Sequence, residues 1–384
     1  MKAKRITIVF MGLSIENTPK LNQVATTFEA NGFEVSIKGI VKTSANSESM
    51  PGLYIKGTTQ GMAKVFKVFV LQIRLFFHLL FKDKSTVLYS VNTLSGLVVM
   101  TVAKLKGKKY IYEAHEMVFG VNYPFFKGRW RKIWISLEKR IIKKSAWFFT
   151  TDQFRLTFYN RFLKLKKENQ GYLLNVPNSM EFDEKSSLRV KYGITSGCII
   201  SYCGGIMPGR NIEEIIQAYS RIDRVDTKLL LAGSISEEYK TSLLHLINQL
   251  GIAEDEVVFT GFIENRILKE YMRLSDVTFI LYQANSLNNR FSSPNKVFDA
   301  IHTETYFITS DSPLSNFIVS QVPVGEIVYE VSAESIREHL MKAIEQVTPG
   351  RNCDYKALKE QYCWEKESQK IGKVLAYLEL DKRN

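Results

Sequence analysis

The chain has 384 residues, 45% hydrophobic and 24% charged, a composition that excludes disordered and fibrous classes and accommodates two domains of ordinary size. Its net charge of +13 is unevenly divided: residues 1–180 carry 29 Lys and Arg against 10 Asp and Glu, and the remainder carries 23 against 29. A basic half beside a mildly acidic one predicts a single surface facing an anionic partner. No RNA-binding aromatic signature, zinc finger or recognition-helix pattern supports a nucleic acid as that partner.

The opening MKAKRITIVFMGL imitates a secretion signal, but no small-residue cleavage site follows, and Asn17, Thr18 and Pro19 interrupt it. It reads as a first strand, residues 5–12, followed by a loop to Pro19. A helix over 20–32 and a strand over 33–40 come next. Residues 62–82 are predicted helical, 85–91 a strand, 95–107 a helix closed by glycine and 109–116 a strand. A basic helix ends at Lys144, and strands over 146–152 and 172–179 complete the half.

A polar, charge-dense stretch over 179–195 reads as a linker. The rhythm then restarts, with strands over 198–205, 228–234, 256–262, 277–283 and 306–311. Helices over 211–222, 237–251, 267–276 and 332–347 separate or follow them, and an amphipathic helix over 364–380 ends the chain. Such alternation predicts α/β architecture with two doubly wound parallel sheets. No run reaches the ~18 uncharged apolar residues of a membrane span. Cys198, Cys203, Cys353 and Cys363 show no C-x-x-C spacing and read as free thiols of a reducing cytosol.

Two loops carry chemistry. FSSPNKVFDA (residues 291–300) stands between two apolar strands, and Ser292, Ser293, Pro294 and Asn295 read as a helix start, with hydroxyls for the cap. A helix starting at the carboxyl end of a parallel strand directs free amides into the crevice where α/β proteins bind ligands. Asp299, about one turn deeper, suits the hydroxyls of a ribose. In YCGGIMPGRNIEEIIQA (residues 202–218), two glycines permit close backbone approach, and Arg210 can clamp phosphate oxygens with parallel bonds. Lys296 adds charge nearby. Together they predict a nucleoside-diphosphate site.

These markers, in this order, resemble the GT-B glycosyltransferases, specifically glycosyltransferase family 4, over almost the whole chain. The matching residues are Gly204-Gly205, Arg210, Ala232-Gly233-Ser234, Phe259-Thr260-Gly261, Leu268 through Tyr271 to Asp276, and Ser293 through Asp299. In the first half they are Tyr112 through Glu116 and Pro177-Asn178, and in the tail Tyr362 through Glu365. The resemblance implies two Rossmann-like domains facing a central cleft. Residues 1–180 would form a basic, membrane-facing acceptor domain, 181–363 the nucleotide-sugar domain, and 364–384 a helix crossing back to the first.

The resemblance further implies a retaining transfer, by same-face attack, from a nucleoside-diphosphate sugar to a lipid-linked or oligosaccharide acceptor. His115 and Arg210 would be catalytic. Gly12, Gly204, Gly205, Gly233 and Phe262 would join Arg210, Ser293, Asn295, Lys296 and Asp299 around the donor, and Ser14, Asn17 and Glu116 would meet the acceptor. With no D-x-D pair in a suitable loop, no metal or other cofactor is expected, and Arg210, Lys296 and helix amides would stabilise the leaving diphosphate.

The chain departs from the family in three places. Phe291 replaces the first acid of the usual E-x7-E pair, leaving Asn285, Asn288 or Asn289 as substitutes. Gly205 stands where a loop arginine is frequent, and Thr303-Glu304-Thr305 replaces a glycine after the acidic helix. Two alternatives share the frame: a nucleotide-sugar 2-epimerase, and a degenerate subunit that only binds a sugar nucleotide or a partner.

Two segments predict a membrane surface as the anionic partner. In the helix over 62–81, Lys64, Lys67, Arg74, His78 and the following Lys82 fall within ~80° of a helical wheel otherwise rich in Phe, Val, Leu and Ile. Residues 127–144 hold eight basic residues, one acid and two tryptophans. The expectation is a peripheral enzyme on the inner face of the plasma membrane, working in capsule or O-antigen assembly.

Overall fold

In a computed structural model the described residues are 4–11, 18–39, 62–120, 128–194, 197–223, 226–347 and 354–380. The chain divides into two compact units, Met1–Leu174 with Glu367–Asn384, and Asn175–Lys366.

The first unit runs β1 (Lys4–Phe10), α1 (Pro19–Ala30), β2 (Phe33–Gly39), α2 (Met62–Phe81), β3 (Val87–Val91), α3 (Asn92–Lys106), β4 (Lys109–Ala114), α4 (Gly128–Lys144), β5 (Trp147–Thr150), α5 (Gln153–Leu163) and β6 (Gln170–Tyr172). Its six strands are all parallel in the order β2-β1-β3-β4-β5-β6. The central strands are apolar on both faces, because helices cover both faces of a parallel sheet. The strand order reverses between β1 and β3, so the binding crevice of this fold lies beyond their carboxyl ends.

The strand predicted over 172–179 is a correction: β6 ends at Tyr172, where that strand was to begin. The Leu173 N–H still bonds to the Thr150 carbonyl at 2.8 Å, and the Leu174 N–H is taken by the Glu367 carboxylate at 2.7 Å. A side chain from the far end of the sequence thus ends the ladder, which no local pattern reveals.

Helices α2 and α4 both pack on α3. Gly96 permits the α4 approach, since a Cβ there would stand 3.1 Å from Ile141 and Tyr112. On α4, Glu138 is buried with Ile141 and Ile142, and its Oε1 accepts from the hydroxyls of Tyr112 (2.8 Å) and Tyr159 (3.0 Å). Burial pushes the Glu138 carboxyl up to about 7, against the pull of the Tyr112, Tyr159 and Thr93 hydroxyls.

An acid whose pKa is raised in the folded state gains a proton on folding. Its contribution is complete below the unfolded value and is lost as the pH rises through about 7. Glu138→Gln keeps an acceptor for both tyrosines and removes this dependence. The variant is therefore expected to exceed the parent in stability by roughly 3 kcal/mol at pH 8 and to match it near pH 4.5. Thermal midpoints measured across that range check this; parallel curves would refute it.

The second unit contains α6 (Lys185–Lys191), β7 (Cys198–Cys203), α7 (Ile212–Tyr219), β8 (Thr227–Ala232), α8 (Glu237–Gln249), β9 (Val257–Gly261), α9 (Asn265–Leu274), β10 (Val277–Ile280), α10 (Leu287–Arg290), α11 (Asn295–His302), β11 (Tyr306–Ser310), α12 (Pro313–Gln321), β12 (Gly325–Val328), α13 (Ala333–Gln346) and α14 (Tyr355–Gln361). The parallel order is β12-β11-β10-β7-β8-β9, with its reversal between β7 and β10. A core of Ile215, Ile216, Leu229, Leu231, Phe279 and Ile308 lies between this sheet and its helices.

Three expectations need correction here. The stretch taken as a linker contains α6, which is docked: Lys185 and Arg189 grip the Asp276 carboxylate at 2.8 and 2.5 Å, and Asp276 also takes the Ile199 N–H at 2.8 Å. The charges that suggested solvent are two cations for one acid at the foot of the sheet. Strand β12 and helix α12 went unpredicted because their runs are short. The terminal helix is two pieces, α15 (Trp364–Glu367) and α16 (Gln369–Leu380), divided at Ser368.

Candidate active site

The carboxyl edge of the second sheet is built around its topological reversal. The loops after β7 and β8 approach so closely that a Cβ on Gly233 would lie 1.9 Å from the Gly204 carbonyl oxygen. Gly204 has φ +154°, and Lys296 covers it, with Cε 2.8 Å from where a Cβ would stand. Two glycines therefore let the β7 and β8 loops and the second residue of α11 meet at one point.

Beyond them, the Arg210 guanidinium stacks on the Tyr282 ring, 4.8 Å from its centroid. Arg210 follows β7 and Tyr282 follows β10, so this cation–π contact spans the reversal point. Asn211, at φ +58° and buried, turns the chain from Arg210 into α7. Arg210, Lys296 and the start of α11 thus share one edge.

Helix α11 begins differently from the expectation. Its N-cap is Pro294, and no serine side chain caps it. The Ser293 Oγ is buried without a hydrogen-bond partner, which leaves a hydroxyl and the first α11 amides unspent together. Asp299 already has a cationic partner: Lys269 of α9 stands 3.0 Å from its Oδ1, and both side chains are largely buried. The short aspartate arm stays within reach of α9, a neighbour the motif does not disclose. Asn289 donates to the Gln283 carbonyl (2.9 Å) and to Asn285 (3.2 Å), so these amides shape the loop before α10. Phe262, 81% exposed, stands on the loop after β9.

At the carboxyl edge of the first sheet, His115 follows β4. Its N–H and that of Glu116 both donate to the Asn92 Oδ1, at 2.9 and 3.1 Å. Asn92 adopts φ +66°, a costly conformation for a residue with a side chain, and this points its amide back across the strand ends. The buried Arg155 donates to the His115 carbonyl at 2.5 Å. Glu116 is exposed beside it. Gly12, Ser14 and Asn17 lie outside the described residues. A cavity of about 390 Å³ opens at the opposite, amino-terminal edge of this sheet, away from the strand ends where this architecture binds ligands.

The family model of glycosyl transferases group 1 matches residues 184–360, a span holding the Arg210 loop, both glycine strand ends and α11. The chain also resembles a solved sucrose-phosphate synthase from Thermosynechococcus elongatus, at 18% identity and TM-score 0.77, covering 98% of this chain and 100% of that one. It is similar to HepE of Anabaena, solved with UDP-glucose, at 12% identity and TM-score 0.72, over 97% and 99% of the two chains. A UDP-GlcNAc 2-epimerase from Methanocaldococcus jannaschii matches at 14% identity and TM-score 0.60, over 97% and 99%. At these identities the likeness is one of fold, and the fold is GT-B. A comparison with curated protein sequences returns no match.

Within the matched span, sequence reasoning named the glycine strand ends, Arg210 and Lys296, which lie on one edge, but not their neighbours Tyr282 and Lys269. Tyr282 was legible as an aromatic ending a strand at the reversal point; Lys269 left no local signal. In the first unit it named His115 but not its surroundings: Asn92 and Arg155 bond its backbone, Glu113 faces its ring and Lys20 faces Glu113, from four different elements. Among the described residues, no three His, Cys, Asp or Glu side chains cluster so as to hold a metal ion.

Proposed function

We propose that the protein transfers a sugar from a nucleoside-diphosphate sugar to a lipid-linked saccharide, with retention of anomeric configuration and without a metal. The observation that carries this reading is the meeting of Gly204, Gly233 and Lys296, with the Tyr282-stacked Arg210 on the same carboxyl edge, at the reversal point of the second sheet. Glycine backbones admit a pyrophosphate closely, and Arg210 and Lys296 supply charge. Asn295, Lys296 and Ser293 present donors at the positive end of α11. The glycine backbones, the start of α11 and the Tyr282-stacked Arg210 are in place before substrate arrives, so they stabilise the charge that grows on the departing diphosphate with little reorganisation. Asp299 takes the ribose hydroxyls, with Lys269 holding its carboxylate in place. His115 acts at the transferred sugar and Glu116 on acceptor hydroxyls. The departing phosphate receives the acceptor's proton.

Thermal stabilisation by UDP, GDP, ADP and their sugars tests the donor half, since a ligand of the folded state raises the midpoint by mass action. No response to any of them would reject it. NMR of the product tests the stereochemistry, and an inverted linkage would reject retention. Incubation without acceptor separates this reading from the epimerase, which would release an altered sugar.

The lipid half rests on α2. Leu71, Leu75 and Leu79 are buried, whereas Phe69, Ile73, Phe77 and Phe81, one turn apart, are exposed, and Phe77 stacks on Phe81 with centroids 6.1 Å apart. Arg74 and Lys82 border that aromatic face; the side chains of Lys64 and Lys67 lie outside the described residues. On α4, Trp130 and Ile133 are exposed among Arg129, Arg131 and Lys132. Aromatics flanked by cations suit an anionic headgroup layer, and no helix among the described residues is long and apolar enough to cross a membrane. Phe77→Ser with Phe81→Ser is expected to weaken sedimentation with acidic vesicles at least tenfold at low salt. Undiminished sedimentation would remove α2 from the contact.

A further inference from the structure

Glu113, on β4 two residues before His115, is completely buried, and so is Lys20, the second residue of α1. The Lys20 Nζ stands 2.6 Å from the Glu113 Oε1 and also donates to the Leu173 carbonyl. The Tyr89 hydroxyl donates to the Glu113 Oε2 at 2.6 Å. His115 Nε2 lies 3.1 Å from the same Oε1 that faces Lys20, close enough to pair, although the two atoms are not aligned for a hydrogen bond as the side chains stand, and neither has another hydrogen-bond partner among the described residues. Burial alone would push the Glu113 carboxyl up; Lys20 and His115 outweigh it and hold it well below the usual carboxylate range. A buried ion pair gives little net stability, because desolvation offsets the attraction. Placing one against a partly accessible imidazole at a strand's carboxyl end therefore calls for another account.

We propose that Glu113, itself held by Lys20 and Tyr89, is the positioning residue for His115: it fixes Nε2 as the proton-bearing nitrogen and leaves Nδ1 to meet substrate hydroxyls. As to substrate, this deepens the glycosyl-transfer reading above and rests on it. Lys20 has a definite task in the arrangement. It supplies the cation that Glu113 requires, a task the imidazole would otherwise be left to perform. The remaining groups around the ring act on its backbone: Asn92 from the start of α3 takes the His115 N–H, and Arg155 from α5, near Asp152 at 4.0 Å, donates to its carbonyl. Glu116 is the adjacent exposed charge. None of these neighbours replaces Glu113 at Nε2 among the described contacts.

The chain has five histidines, few enough for their imidazole nitrogens to be followed individually by NMR in the full-length protein. In the parent, His115 is expected to show the Nε2–H tautomer at pH 7.5. Lys20→Met leaves His115 as the cation facing Glu113 and is expected to raise its titration midpoint by a unit or more. Glu113→Gln is expected to lower the midpoint by a similar amount. Both should reduce kcat ten- to a hundredfold with donor KM changed less than threefold. Should Lys20→Met not fold, the double variant Lys20→Met/Glu113→Gln, which buries no charge at this place, is expected to fold with a midpoint below the parent's. An Nδ1–H tautomer in the parent, or a midpoint unmoved in the variants that fold, overturns the assignment. Shifted midpoints with no turnover of any sugar nucleotide would uphold the positioning of His115 and defeat glycosyl transfer.

Discussion

Arg210→Ala is expected to lower kcat/KM by 10²- to 10³-fold, about 3–4 kcal/mol of transition-state stabilisation, and to abolish most of the thermal stabilisation given by a nucleoside diphosphate. The effect is large because Arg210 works almost alone. Gly205 supplies no second loop cation, and Lys296 contributes one flexible point charge beside Gly204. The guanidinium is also held ready: stacking on Tyr282 fixes its plane, so little rotamer entropy is lost when phosphate oxygens arrive. Arg210→Lys keeps the charge but loses both the planar fork and much of the stacking, and should fall between parent and alanine variant. Heating each variant with and without nucleotide measures the binding part. Undiminished stabilisation in Arg210→Ala would displace the phosphate site from this edge.

Gly233→Ala should disrupt the second unit itself. The added methyl would occupy space 1.9 Å from the Gly204 oxygen and 2.7 Å from its carbonyl carbon, at a backbone φ of +142° that residues with a side chain rarely adopt. Relief requires the β7 and β8 ends to separate. That movement strains the Gly204 N–H to Ala232 carbonyl bond (2.8 Å), the Ile206 N–H to Ser234 carbonyl bond (2.9 Å) and the Gly233 N–H to Thr260 Oγ1 bond (3.1 Å). Overpacking and weakened hydrogen bonds together amount to roughly 3–5 kcal/mol, which for a unit of this size lowers the thermal midpoint by about 10 °C. Nucleotide binding should go with it, because the same carbonyl and glycine shape the edge proposed to hold the pyrophosphate. A variant as stable as the parent would show that the two loops are not held together as described.

The sequence alone was enough to determine the alternation of strand and helix, the two doubly wound sheets and the loops at their carboxyl edge for which the chemistry is proposed. Each depends on periodicity within about ten residues or on a short run such as Gly204-Gly205 or Ser293-Pro294-Asn295. Apolar β-branched runs must be buried on both faces, and a glycine ending a strand must serve a close approach, wherever the rest of the chain lies. Tertiary structure decided which partner each polar group takes. Asp276, read as part of a motif, binds α6 through Lys185 and Arg189; Asp299, read as open to ribose, faces Lys269; and Ser293, read as a cap, caps nothing. His115 is set by Lys20, Asn92, Glu113 and Arg155, and of these only Glu113 is its neighbour in sequence. Hydrogen bonds and ion pairs are satisfied by whichever group the packed helices bring within about 3 Å, and that proximity is a property of the folded chain, not of spacing along it.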